Sequence, residues 1–162
     1  MTAGASSGPE RFASHRRFAF RLPYLVFDTD FLIKVANDPI RRLDLKQLAS
    51  EYTIATIPGV VSELEGLAHH REKKTARRAA NTLRVLEESR SQIKVKVLEE
   101  SRAKGAEADM ALVELARNSE GDATIATMDH SLLSRLERMR LPYLTLSDDK
   151  PLMRTFPREQ RI

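Results

Sequence analysis

Tyr24-Leu25-Val26-Phe27-Asp28 is a run of four apolar residues closed by an acid. Too short for a helix and without polar alternation, the run reads as a β-strand covered on both faces. Phe31-Leu32-Ile33 and Val35-Ala36 then start a helix. Outward along the chain the same alternation recurs. Leu43, Leu45, Leu48 and Ala49 mark a second helix, and residues 52–56 a strand. Pro58 opens the next helix in its first turn, where a missing N–H costs nothing. Residues 75–88 carry Ala76, Ala79, Ala80, Leu83 and Leu86 on one helical face. Residues 93–97 alternate strictly, as an exposed strand does. A helix over 106–117, a strand over 123–128, a helix over 131–139 capped by Ser131, and a strand over 141–146 complete the order. Strands alternating with helices predict an α/β fold, a mainly parallel central sheet with helices on both faces. The domain is expected over residues 23–150, between a basic tail (1–22) and a C-terminal tail (151–162). In such folds ligands bind beyond the carboxyl ends of the strands.

Composition narrows the chemistry. The 162 residues include no cysteine, which excludes disulfides, thiolate zinc sites and a Cys nucleophile together. The four histidines, His15, His69, His70 and His130, form no HExxH pair. No apolar run approaches the ~20 residues of a membrane span, and the start lacks a signal-peptide apolar stretch. The reading is therefore a soluble, cytoplasmic protein without membrane association. Lys+Arg 27 against Asp+Glu 23 leans weakly toward a polyanionic partner. Arg11, Arg16, Arg17 and Arg21, with Phe12, Phe18 and Phe20 among them, suit either a phosphate-binding arm or a plain N-terminal extension.

Four acids fall where acids are unexpected. Asp28 and Asp129 follow the first strand and the strand ending at Thr127-Met128. Either is explained, taken alone, as the cap of the following helix. Glu63 lies three residues after Val60 and four before Leu67, and Asp109 three after Ala106 and four before Val113. Both positions fall in apolar stripes, where an isolated ionised carboxylate costs several kcal/mol. Each then needs a basic partner or a shared cation. A salt bridge to one of the 27 Lys and Arg accounts for one acid as well as a cation does; four separate salt bridges and caps account for the set poorly. Convergent carboxylates suit Mg²⁺ or Mn²⁺. One or two such ions activate water and stabilise the leaving oxygen of a phosphodiester, with no side-chain nucleophile.

The segments carrying these acids resemble the PIN-domain nucleases, in particular the archaeal toxin-like and ribosomal-RNA-processing group. They are Leu25-Val26-Phe27-Asp28-Thr29, Ile57-Pro58-Gly59-Val60-Val61-Ser62-Glu63-Leu64, Lys104-Gly105-Ala106-Glu107-Ala108-Asp109 and Ile125-Ala126-Thr127-Met128-Asp129. The similarity spans residues 24–146 and implies a three-layer PIN-like sandwich. It places a metal-binding acid in each segment: Asp28, Glu63, Asp109 and Asp129. Thr127 stands for the family's small hydroxyl residue, with Thr29 and Asp30 also beside the acids. Asp30 departs from the Asn or Ser usual there, and Met128 stands where Asn is common. The resemblance implies a divalent-metal-dependent endoribonuclease, in which Asp28, Asp109 and Asp129 ligate the ion and Glu63 holds a second ion or orients water. It implies RNA as substrate, self-association as a homodimer, and either an antitoxin or a ribosome-assembly partner.

Arg71, Lys73, Lys74, Arg77 and Arg78, opposed only by Glu72, form a basic patch for RNA phosphates or an ordinary solvated helix face. Two rival readings stand beside the nuclease. Asp28-Thr29-Asp30 also resembles the opening motif of haloacid-dehalogenase-like phosphatases, with Asp28 as nucleophile, Asp30 as general acid and Asp148-Asp149 as a later acidic motif. A non-catalytic PIN-type module that binds RNA or protein is the other.

Overall fold

The computed structural model describes residues 22–38, 46–88, 94–99, 107–147 and 150–156. The tail expected over 1–22 lies outside them except for Leu22, as do Leu43, Leu45, Asp148 and Asp149.

The opening apolar run is β1 (Tyr24–Phe27), and all four of its residues are buried. Successive strand residues point to opposite faces, so complete burial means that both faces are covered. β1 pairs in parallel with β2 (Thr53–Thr56) on one side and β4 (Ala123–Ala126) on the other. β3 (Lys96–Val97) extends the sheet beyond β2, and β5 (Tyr143–Ser147) extends it beyond β4, both in parallel. β6 (Lys150–Arg154) closes the far edge antiparallel to β5, giving the order β3-β2-β1-β4-β5-β6. The domain thus runs past the expected boundary at 150, and residues 151–154 are strand rather than tail. Pro151 and the mostly exposed side chains of β6 hid it, because an edge strand needs neither apolar alternation nor every ladder N–H.

Among the described residues, five helices of at least nine residues connect the strands: α1 (Thr29–Asn37), α2 (Pro58–Leu67), α3 (Lys73–Glu87), α4 (Ala108–Asn118) and α5 (His130–Arg138). Residues 46–48 are also helical, at the place expected for the second helix. Pro58 occupies the first turn of α2, as read from sequence. α5 starts one residue earlier than expected and is capped by Asp129, not Ser131; Ser131 donates its N–H to that cap. Phe27 of β1 meets Phe31 of α1 edge to face at 5.1 Å, fixing helix against sheet. Leu25, Phe27, Leu32, Leu64, Leu112, Ile125, Leu132 and Leu144 are all fully or almost fully buried in one core. Each such side chain is worth about 1.5–3 kcal/mol of burial. Ala79 belongs to that core and Ala80 is exposed, so the alanine-rich face read from the helical spacing is divided between the interior and solvent.

The strand order decides where a site can form. After β1 the chain moves to β2 and β3, then returns to place β4 on the other flank of β1. The reversal leaves a crevice at the carboxyl ends of β1 and β4, the topological switch point at which open α/β sheets bind ligands.

Candidate active site

Phe27 and Ala126 are partners in the β1–β4 register, so the next residues, Asp28 and Thr127, stand side by side at the rim. The Asp28 N–H donates to the Ala126 carbonyl (2.9 Å), locking the two strand ends together. Thr127 is fully buried, and its Oγ1 donates to Asp28 Oδ2 at 2.8 Å. The same Oγ1 accepts the Asp129 N–H at 3.1 Å. One hydroxyl therefore ties together two acids whose strands are far apart in sequence. The other carboxylate oxygen of Asp28, Oδ1, accepts the Thr29 N–H at 2.7 Å as the cap of α1. Thr29 Oγ1 in turn donates to Glu63 Oε2 at 3.1 Å, linking α1 to α2. Two threonines thus string Glu63, Asp28 and Asp129 along one rim.

Asp109 joins them through space. It lies in the first turn of α4, half-buried; its charge is felt at Asp28, and it feels the charge of Asp129 in turn. Asp28, Asp109 and Asp129 all sit at helix N-termini, where the exposed N–H groups and the macrodipole favour negative charge. Gly59 in the first turn of α2 lies against Ala108, which brings the start of α2 to the start of α4.

Burial dominates the electrostatics. Asp28 is 5% exposed, and desolvation lifts its carboxyl from 3.8 to about 6. The bonds from Thr127 and the Thr29 backbone pull the other way, while Asp109 and Asp30 add to the rise. Asp109 is likewise raised, first by burial and then by Asp129; Arg135 opposes this, and Glu107 and Asp30 add to it. Among the described residues no Lys or Arg forms an ion pair with Asp28, Glu63, Asp109 or Asp129. The salt-bridge explanation for each acid therefore fails over that part of the chain.

Two expectations need correction. Glu63 is exposed, not embedded in an apolar stripe, because only Val60 and Leu64 of α2 are buried and Glu63 stands at the border of that face. Asp109 is only half-buried, since the buried stripe of α4 begins at Ala111. Asp129 does serve as a helix cap, a role worth about 1 kcal/mol. Both of its capping bonds, from Ser131 and Leu132, fall on Oδ1 and leave Oδ2 outside the cap.

The donor set suits a hard divalent cation in kind: carboxylates only, without an ion-paired Lys or Arg among the described residues, Arg135 acting on Asp109 only through its field. As the side chains stand, however, no three His, Cys, Asp or Glu of the described residues close on a common point. Glu63 faces Thr29, and its charge is not among those that shift Asp28 or Asp109. The acids that do influence one another are Asp28, Asp109 and Asp129, with Asp30 beside them.

Asp30 is exposed in the first turn of α1. Of the basic patch, Arg71, Lys73, Lys74, Arg77 and Arg78 are all exposed; Lys74 and Arg78 line a cleft that also takes in Asp30 and Met128. His69 and His70 are exposed, and His70 Nδ1 accepts the Glu72 N–H. Sequence reading missed Arg135. It falls three residues after buried Leu132 and four before Met139, the spacing that drew attention to Glu63, so the same criterion applied to cations would have found it.

No helix among the described residues is long and apolar enough to cross a membrane. No protein-family model matches the chain, and no curated protein matches its sequence. A solved structure titled "Structure of the PIN domain endonuclease Utp24" does match. It is 20% identical, the alignment covers 82% of this chain and 92% of that one, and the TM-score is 0.57. At that identity the likeness is one of fold: a six-stranded, mostly parallel α/β sheet of the PIN-domain type.

Proposed function

We propose, from the PIN-domain fold as premise, that this chain is a divalent-metal-dependent endoribonuclease that hydrolyses RNA with water as nucleophile. The observation that carries the reading is that Asp28, Asp109 and Asp129 lie at helix starts beside the switch point of the sheet, Asp109 acting electrostatically on Asp28 and Asp129 on Asp109, with no Lys or Arg ion-paired to them among the described residues. The endonuclease whose structure resembles this one supports the reaction class.

Asp28, Asp109 and Asp129 would hold Mg²⁺ or Mn²⁺, and Glu63 a second ion or the attacking water. When bound, such an ion lowers the pKa of water and offsets charge on the phosphodiester. The chain's own part is positional. Thr127 holds the Asp28 carboxylate with one hydrogen bond and the Asp129 backbone with another, so both acids keep a fixed orientation. Thr29 does the same for Glu63. Burial of Asp28 makes the carboxylate a strong recipient of positive charge, because neutralising it recovers the desolvation penalty. Roles in RNA processing, or as a toxin with an antitoxin partner, are compatible readings of the same chemistry.

Labelled RNA incubated with the protein and Mg²⁺ or Mn²⁺ in ¹⁸O-enriched water tests the mechanism. Hydrolysis by water predicts one heavy oxygen in the phosphate of the product. A 2′,3′-cyclic phosphate product would mean attack by the ribose hydroxyl and would overturn the proposal.

A further inference from the structure

Beside the acids lies a cleft of about 520 Å³. Asp30 and Met128 line it, one residue from Thr29 in the first case and from Thr127 and Asp129 in the second. Ile33 of α1 and Leu67 of α2 add apolar surface, and Lys34 of α1 with Lys74 and Arg78 of α3 gives the lining three basic side chains. The five basic residues therefore divide. Lys74 and Arg78 are four apart and share one face of α3, the face on the cleft. Lys73 and Arg77 share the adjacent row, which does not line it.

We infer that this cleft seats a single unstacked nucleotide of the RNA strand next to the bond being cut, with its phosphate on Lys74 and Arg78 and its base over Met128, Ile33 and Leu67. The inference rests on the nuclease reading and adds a substrate subsite to it. Three features select this occupant. The basic pair supplies fixed positive charge for a phosphate, and Arg78 can hold two of its oxygens together. The apolar side chains offer a flat base a surface that hydrogen-bond readout does not require, and a polarizable Met adapts to any base. Glu72 and Asp30 offset two of the three cations that line the cleft, Lys34, Lys74 and Arg78, which limits the positive field to one phosphate instead of a continuous rail. A base paired in a duplex cannot enter, so the site selects single strands.

The test uses the full chain carrying Asp28→Asn, so that RNA is bound without being cut, and fluorescence anisotropy of a short labelled single-stranded RNA. Adding Lys74→Ala and Arg78→Ala should weaken binding about tenfold and reduce the slope of log affinity against log salt by about 0.7, the value for one lost phosphate contact on a single strand. Adding Lys73→Ala and Arg77→Ala instead removes the same charge from the same helix and should weaken binding by less than about threefold. Met128→Ala should weaken single-strand binding while leaving the salt slope unchanged. Equal losses from the two charge pairs, no loss from either, or duplex RNA bound as tightly as single strands would each overturn the subsite. The nuclease reading is judged separately: if the unsubstituted chain cuts RNA and Lys74→Ala/Arg78→Ala cuts it with unchanged kcat/KM, the subsite fails and the nuclease stands. If the unsubstituted chain binds RNA through Lys74 and Arg78 yet never cuts it, the nuclease reading fails and the subsite stands.

Discussion

Thr127 Oγ1 donates to Asp28 Oδ2 at 2.8 Å across 99 residues of sequence, and through the same oxygen receives the Asp129 N–H. This bond is the hinge of the site: it depends on the parallel β1–β4 register and on nothing local to either residue. Thr127→Val keeps the shape and removes both hydrogen bonds. With the lowering influence of Thr127 gone, the Asp28 carboxyl should rise further above its ordinary range. The pH at which cleavage reaches half its maximum should move upward, and stability should fall by about 1–2 kcal/mol. Thr127→Ser should restore both. A pH–rate profile of the three proteins checks the shift.

Burial of Asp28 also makes stability depend on pH. Its carboxyl titrates near 3.8 when unfolded and at about 6 when folded. Between those values the folded chain binds more protons than the unfolded one, so stability falls as pH rises through the window. The loss is of order 2–3 kcal/mol and complete above pH 6. Without divalent metal, the melting temperature should therefore rise as pH is lowered from 7 toward 5. Asp28→Asn should flatten that part of the curve. Parallel melting curves of the two proteins in chelator decide it.

Added metal should reverse the penalty. Mn²⁺ or Mg²⁺ binding only the folded chain stabilises it by about 2.7 kcal/mol at a hundredfold excess over Kd. Thermal melting with and without Mn²⁺ should show this shift in the unsubstituted protein. Asp28→Asn and Asp109→Asn should each remove most of it, and Arg135→Ala, which takes a positive charge from beside Asp109, should enlarge it.

Asp30 separates the two hydrolase chemistries. In a phosphatase working through Asp28-Thr29-Asp30 it is the general acid, and Asp30→Asn abolishes turnover. In the nuclease reading it is an exposed neighbour that adds to the repulsion at Asp28 and Asp109. Asp30→Asn should then keep RNA cleavage within about threefold of the parent, an effect below 1 kcal/mol. Assays on RNA and on a small phosphomonoester distinguish the outcomes.

Most of the fold was legible because its two central strands, β1 and β4, are buried on both faces. β1 is an uninterrupted apolar segment, β4 is interrupted only by Thr124, and Pro58 marks a helix start directly. β6 escaped notice because an exposed edge strand carries no burial pattern. The acids stood out by position, but their environments did not: Glu63 and Asp109 matched a core stripe by spacing, and only the packed helices show that one lies at its border and the other ahead of it. The partnership of Thr127 with Asp28 was accessible solely as a resemblance, since register between distant strands is a tertiary property. The division of the basic patch by α3 was equally hidden, because the cleft that distinguishes Lys74 and Arg78 is built from three other segments.

The most direct test of the carboxylate centre is cleavage of labelled RNA by the purified protein, by Asp28→Asn and by Asp109→Asn, each with Mn²⁺, with Mg²⁺ and with chelator. The account predicts cutting by the unsubstituted chain only when metal is present, and a fall of at least about a hundredfold in each variant, close to 3 kcal/mol of transition-state stabilisation. Metal-independent cutting, or variants as active as the parent, would contradict it.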